Sequence, residues 1–419
     1  MASGQHFQRR HGVRAVTRFE SRRRPRAAFG VVVAAVAVLA AAVAETPAQA
    51  QDGPEPGPPE RAFSPVVEGV VEGDLVLAGN SNVAAPAPGP PAAATMVDVD
   101  RDRSVLCAIR LIVPTGCSDN SSSAVLDVPA GARVVEARLY IDTTLARGSR
   151  GVRARLDGPG RGFDYRALDA STGALPKLWE ATGAAGAGGL MRQAVWDVTD
   201  YVAANGAGNY TVADIVVDDG PAPMPYATWA IMVLYERDPA LVTDLAALAP
   251  EEQDRFTRRA VSWHDGFFIH RDGRHDVTLG GFEVPLAGTV FAKSFHVVAH
   301  GDAGELDNLV FDGDPLGNSA AADNGGPPPG VVVGVDHVCN DTTDVFNGSI
   351  CALGQPVGSG AGVDVDVARI PDTYVTPGAT EATLSILSVD DGLLAPGLLA
   401  VSIDLGPEVE ETPPTTEPP

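Results

Sequence analysis

Lysine is nearly absent: Lys177 and Lys293 are the only two, and all basic residues number 30 against 54 acidic ones. The formal net charge is −24. A field of that sign repels phosphate backbones, so nucleic acid is not an expected partner. Cysteine is limited to Cys107, Cys117, Cys339 and Cys351. The spacing within each pair is far wider than the two to four residues of a zinc knuckle, which argues against a four-cysteine zinc site. No P-loop, GxSxG elbow, HExxH helix or EF-hand loop occurs in the sequence, so none of those chemistries is announced. No catalytic residue is assigned, and the chain is read as a non-enzyme. After the amino-terminal region no segment is apolar enough over enough length to span a bilayer.

The amino-terminal region supplies most of what is distinctive. Eight arginines stand between Arg9 and Arg26, and an uncharged run from Ala27 to Ala44 follows them. The small-residue triplet Ala48-Gln49-Ala50 then precedes Gln51. Basic, apolar and small-residue regions in that order describe a secretory signal over residues 1–50. The alternative is an uncut anchor, which would be the chain's only contact with a membrane and would still face it outward. Loss of residues 1–50 removes 8 basic and 2 acidic residues and leaves 22 against 52, a net charge of −30. An exported chain meets an oxidising compartment, so the local disulfides Cys107–Cys117 and Cys339–Cys351 are expected. The crossed pairings stay open on sequence alone.

Residues 51–62 read as a Pro/Gly linker and 407–419 as a disordered tail of Pro, Thr and Glu. The remainder is long for a single core. It is divided into a first β-sandwich domain (63–237), a helical connection (238–260) and a second β-sandwich domain (261–406). The expected fold class is all-β: two sandwich or jelly-roll-like domains with a short helical insertion. Arg133–Ile141 alternates cleanly, with Val135, Ala137, Leu139 and Ile141 on one face. Val66–Val71, Asp74–Ala78, Tyr210–Val217, Ala227–Tyr235, Thr289–Ala299, Gly362–Val367, Ala382–Ser388 and Leu398–Asp404 are read as further strands. Trp196–Val202 reads as a short helical turn. Pro250–Asp254 reads as a helix start, with proline at its first position and acids near its positive end.

A series of short motifs keeps a fixed order along the chain. It begins with Gly73–Asn80 (GDLVLAGN) and Thr95–Asp100 (TMVDVD), then Asn120–Ala124 (NSSSA) and Pro129–Ala132. Asp197-Val198-Thr199, Gly208–Ala213 (GNYTVA), Trp229-Ala230 and Asp265-Gly266-Phe267 come next. His300-Gly301-Asp302, Phe346–Ser349 and Gly362–Asp366 (GVDVD) complete it. This order resembles the amino-terminal β-sandwich region of large secreted bacterial surface proteins that usually precedes immunoglobulin-like repeats. The resemblance spans about 63–406. It implies a secreted or cell-surface, adhesin-like structural or interaction protein, with an envelope protein or a glycan as partner. It carries no catalytic residue to transfer. A Leu-Pro-x-Thr-Gly sorting motif of the kind such proteins use is absent from the sequence.

Three acidic clusters could collect oxygen ligands. Asp98, Asp100 and Asp102 alternate, as do Asp364 and Asp366, and alternate residues of a strand point the same way. The richest cluster is Asp302, Glu305, Asp307, Asp312 and Asp314, the candidate metal site, with calcium as the candidate cofactor. A calcium-dependent glycan-binding module is therefore the alternative reading of function, and a secreted hydrolase the remaining one. The competing reading of all three clusters is a solvated acidic face. His264, His270 and His275 lie near one another, and His296 and His300 share a strand face, without matching a metal motif. Lys293, placed by alternation beside Phe291 and Phe295, is either an intramolecular isopeptide donor or a lysine reaching out to solvent. Non-reducing peptide mapping of protein recovered from the medium is expected to give the linked pairs Cys107–Cys117 and Cys339–Cys351. Free thiols there would rule the two bridges out.

Overall fold

The architecture comes from a computed structural model that describes residues 61–84, 95–96, 120–146, 152–161, 166–169, 177–182, 189–217, 227–288, 290–300, 307–316, 345–346, 350 and 362–406. Strands dominate it. In chain order they are β1 (Arg61–Ser81), β2 (Val83–Ala84), β3 (Thr95–Met96), β4 (Ser121–Leu126), β5 (Ala132–Ala146) and β6 (Arg153–Asp157). There follow β7 (Arg166–Asp169), β8 (Lys177–Thr182), β9 (Gly189–Asp197), β10 (Gly208–Ala213), β11 (Ala227–Arg237) and β12 (Arg258–Phe267). The last are β13 (His270–Leu279), β14 (Ala292–Ala299), β15 (Asn308–Phe311), β16 (Asp314–Pro315), β17 (Val363–Ile370) and β18 (Ala382–Asp404). All pairings are antiparallel. The all-β expectation therefore holds. The short helix Thr199–Asn205 overlaps the expected helical turn Trp196–Val202 and runs three residues past its end, and Pro250–Asp254 is helical with its proline at the start.

Two long strands organise the whole. Arg61–Glu72 of β1 pairs with β12, and Gly73–Ser81 pairs with β11. In the same way Ala382–Leu394 of β18 pairs with β13 and β15, whereas Ala395–Ile403 pairs with β14 and Leu398–Asp404 with β12. A 12-stranded sheet results, and it turns at these two strands into three segments; beside it lie a 4-stranded sheet, β4-β10-β6-β7, and the small β2-β3 pair. The boundary expected near Arg237 thus falls between two strands, β11 and β12, that share β1 as a neighbour.

Hydrophobic burial stacks the segments as layers. β11 carries an unbroken apolar run from Trp229 to Tyr235, WAIMVLY, and its residues alternate between two cores. Trp229, Ile231 and Val233 join Leu139 and Ile141 of β5 against Leu126, Leu156, Tyr210 and Val212 of the 4-stranded sheet. Ala230, Met232 and Leu234 face the other way, with Leu75 and Leu77, onto Trp263, Phe295, Val297, Val365 and Leu398. The far side of that second segment packs again: Val298, Leu399, Val401 and Ile403 meet Val277, Leu279, Leu309, Phe311, Leu384 and Ile386. Strands covered on both faces lose the polar alternation of a half-exposed sheet and read as continuous apolar runs. Each large aliphatic side chain buried this way contributes roughly 1.5–3 kcal/mol.

Polar groups trapped in the first core are paired with one another. Asn82 donates from Nδ2 to Asn120 Oδ1 at 2.7 Å and to the Val212 carbonyl at 3.1 Å. Ser122 Oγ donates to Asn82 Oδ1 at 2.5 Å and accepts from Trp229 Nε1 at 2.8 Å. Asn120 closes the set by exchanging two 3.0 Å bonds with the Ile215 backbone. The network joins β11 to the 4-stranded sheet, and it accounts for two residues of the NSSSA motif by structure alone. Asn82→Ala removes the amide at its centre and leaves the Asn120, Ser122 and Val212 groups buried with fewer partners, at about 2–4 kcal/mol. The midpoint of urea unfolding is expected to fall accordingly, while Val125→Ala, exposed on β4, leaves it within about 0.5 kcal/mol.

Candidate functional site

The densest convergence of ionisable side chains lies where β1 leaves one layer for the next. Gly73 sits at that point because a Cβ there would collide with the Tyr235 carbonyl oxygen. Asp74 follows it, fully enclosed. Lys293 Nζ of β14 stands 2.6 Å from Asp74 Oδ2, and Arg259 Nη1 of β12 is 3.6 Å from the same oxygen. Ser402 Oγ of β18 donates to Asp74 Oδ1 at 2.6 Å, and the Leu75 amide donates to it at 2.7 Å. Arg259 also donates to the carbonyls of Gly73 and Asp254. Burial by itself would raise the Asp74 pKa; Lys293 and then Arg259 outweigh it and hold the carboxyl below its usual range. Lys293 is thus turned inward onto a buried carboxyl rather than reaching out to solvent. Lys293 also lies over the Phe295 ring, 5.2 Å from its centre.

A second carboxylate, Asp265 of β12, is held between Arg61 and Arg138, the latter at 2.8 Å. Tyr140 OH is 3.5 Å from it and accepts from Trp263 Nε1 at 3.1 Å. Burial raises the Tyr140 pKa, so its hydroxyl stays protonated. Two residues along β5 on the same face, Asp142 is buried opposite Gln193 of β9. Gly397 of β18 packs so closely there that a Cβ would strike the Gln193 amide. Burial pushes the Asp142 carboxyl up to about 7, with Gln193 opposing the shift.

Ser262, His264 and Glu68 form the one described trio with the composition of a nucleophile–base–acid relay. Ser262 Oγ and Glu68 Oε1 both contact Nε2 of His264, each at 3.2 Å. A relay needs the acid on one ring nitrogen and the nucleophile on the other. With both partners on Nε2 the imidazole has no route to pass a proton between them. Burial lowers the His264 pKa, and Glu68 partly restores it.

The sequence-predicted residues are dispersed. Asp302 and Glu305 lie outside the described residues, as do Asp98, Asp100, Asp102 and all four cysteines. Asp307 is buried just before β15, while Asp312 and Asp314 stand at its other end. A strand rises about 3.3 Å per residue, so the length of β15 keeps Asp307 from sharing an ion with them. Asp312 takes a positive φ of 48° in the β15–β16 turn and accepts from the Thr383 amide at 2.7 Å. His270 donates from Nε2 to the Gly273 carbonyl at 3.1 Å, and His275 packs on Phe268 with ring centres 4.4 Å apart. Among the described residues no three His, Cys, Asp or Glu side chains already stand as a cage for an ion. Sequence reasoning named Asp265 only as part of the Asp265-Gly266-Phe267 motif and did not single out Asp142, because the partners that enclose both lie on strands distant in the sequence.

No family model and no curated protein matches the chain. Solved structures aligned to it include the neoagarooctaose complex of BuGH86, at 10% identity and TM-score 0.19 over 68% of this chain and 34% of that one. The chain thus spans about a third of the length of that protein. Others are the major capsid protein P2 of bacteriophage PM2, at 11% identity and TM-score 0.18 over 80% and 99%, and the Sulfolobus Turreted Icosahedral Virus structure, at 10% and 0.20 over 68% and 86%. Similarity that low carries no argument about function.

Asp142 generates a testable pH dependence. Its folded pKa lies above the unfolded value of about 3.9, so the native state binds the proton more tightly. The stabilisation is complete below about pH 4 and is lost as pH rises toward 7. His264 and His275, whose pKa values burial lowers, act in the opposite sense below about 6.5. The informative quantity is therefore the difference between Asp142→Asn and wild type. It is expected to grow between pH 4 and 7 to as much as ~4 kcal/mol in favour of the variant. A difference in unfolding free energy that stays flat with pH would exclude a buried, proton-binding Asp142.

Proposed function

We propose that this protein is a secreted or cell-surface structural and interaction protein of a bacterial envelope, adhesin-like and non-catalytic. The observation that carries the reading is how its ionisable groups are used. Asp74 with Lys293 and Arg259, and Asp265 with Arg61 and Arg138, tie one layer to another instead of converging on a nucleophile. The basic, apolar, small-residue order of residues 1–50 supports export. The strongly acidic chain supports solubility outside the cell and opposes nucleic acid as a partner. The local cysteine pairs suit an oxidising compartment. An envelope protein or a glycan is the expected partner.

The full chain carrying a carboxy-terminal tag, expressed in a bacterium with an intact export pathway, tests the reading. Tagged protein is expected in the medium or accessible to protease on intact cells, with an amino terminus at Gln51. Unprocessed protein confined to the cytoplasm would overturn it.

A further inference from the structure

β1 and β14 share no ladder of backbone hydrogen bonds: β1 pairs with β11 and β12, and β14 with β17 and β18. Their side chains nevertheless meet. Lys293 Nζ stands 2.6 Å from Asp74 Oδ2, and the two side chains are only 16% and 6% exposed. Phe295, two residues along β14, places its ring 5.2 Å from the amine. The two oxygens of the carboxyl have different surroundings. Oδ2 faces the amine and, at 3.6 Å, Arg259 Nη1. Oδ1 accepts from Ser402 Oγ at 2.6 Å and from the Leu75 amide at 2.7 Å. Ser402 reaches this place because the register of β14 on β18 sets it opposite Lys293. An amine against one oxygen of a carboxyl, with two donors fixed on the other, is an arrangement suited to acyl transfer. Donors aimed at the oxygen where negative charge develops lower the barrier, and a nucleophile held against its target reacts as if at very high local concentration.

We propose that Lys293 and Asp74 condense, once the chain has folded, into an intramolecular isopeptide bond. A proton passes from Nζ to Oδ2 along their contact. The freed electron pair of Nζ forms a bond to Asp74 Cγ, and negative charge moves onto Oδ1, where Ser402 and Leu75 already donate. A second proton goes from the nitrogen to Oδ2, the Cγ–Oδ2 bond breaks, and Oδ2 leaves as water. Nothing is oxidised or reduced. The product is an amide whose carbonyl oxygen, Oδ1, keeps both donors. Burial is the largest influence on Asp74 and favours its neutral acid; the charge of Lys293, first among the influences opposing it, disappears as the proton moves. Exclusion of water from the layers then protects the amide from hydrolysis. The reaction runs once and within the chain, so it accords with a non-catalytic protein. The bond fixes one layer to the next and closes the chain from Asp74 to Lys293 into a covalent loop, which restricts the unfolded state as a disulfide does.

The full chain, purified folded and held at neutral pH, is then denatured with its thiols reduced and weighed by mass spectrometry against its sequence from the amino terminus it carries. A mass short by one water is expected. Protease digestion is expected to give a branched peptide that joins the segment containing Asp74 to the segment containing Lys293. Lys293→Arg is expected to restore the full mass and abolish the branch. Because the bond is read in denatured wild-type protein, the result does not depend on Lys293→Arg folding. Full mass without a branched peptide in the wild type would overturn the bond. So would water loss that persists in Lys293→Arg, or a branch from Lys293 to a different carboxyl.

Discussion

The Asp74 carboxylate is the point on which the layers hang. β1 bends just before it, and the groups that reach it come from β12, β14 and β18, the strands of the next layer: Arg259, Lys293 and Ser402. Arg259 adds a bond to the carbonyl of Gly73, at the bend itself. Charges taken out of water cost several kcal/mol each unless their remaining valences are met. Here the carboxylate receives an ammonium, a guanidinium, a hydroxyl and an amide. A shift of β1 by one residue would break the three that come from other strands at once and would turn Leu75 and Leu77 away from their core.

Stacking sets the chemistry of the interior. A strand between two layers has no solvent face, so any polar residue on it must be matched inside the protein. The chain is poor in basic residues, yet Arg61, Arg138, Arg259 and one of its two lysines are committed to buried carboxylates. The Asn82–Asn120–Ser122–Trp229 network does the same work with neutral groups. Asp142 differs: its enclosed carboxyl faces an amide and not a cation, and so it keeps its proton to about pH 7.

Much of the local structure was legible because periodicity is local. β5 and β14 alternate as strands must, and proline and acids mark the start of the helix at Pro250. The two strands that matter most were each read as two. Val66–Val71 and Asp74–Ala78 are parts of β1, and Ala382–Ser388 and Leu398–Asp404 are parts of β18. The glycines and prolines between them signal turns in the chain, whereas here they let a continuous strand change layers. β9 was missed, and the stretch before Arg258 hid the start of β12, since partners far along the chain stabilise both.

By itself the sequence determined the β class, the short helices and the sign of the net charge. These follow from residue type and from spacing within one strand or turn. The layers, and the encounter of Lys293 with Asp74, were decided only by tertiary structure. Hydrogen bonding between strands brings such residues side by side according to the register of pairing, and that register depends on cores assembled from many distant segments at once.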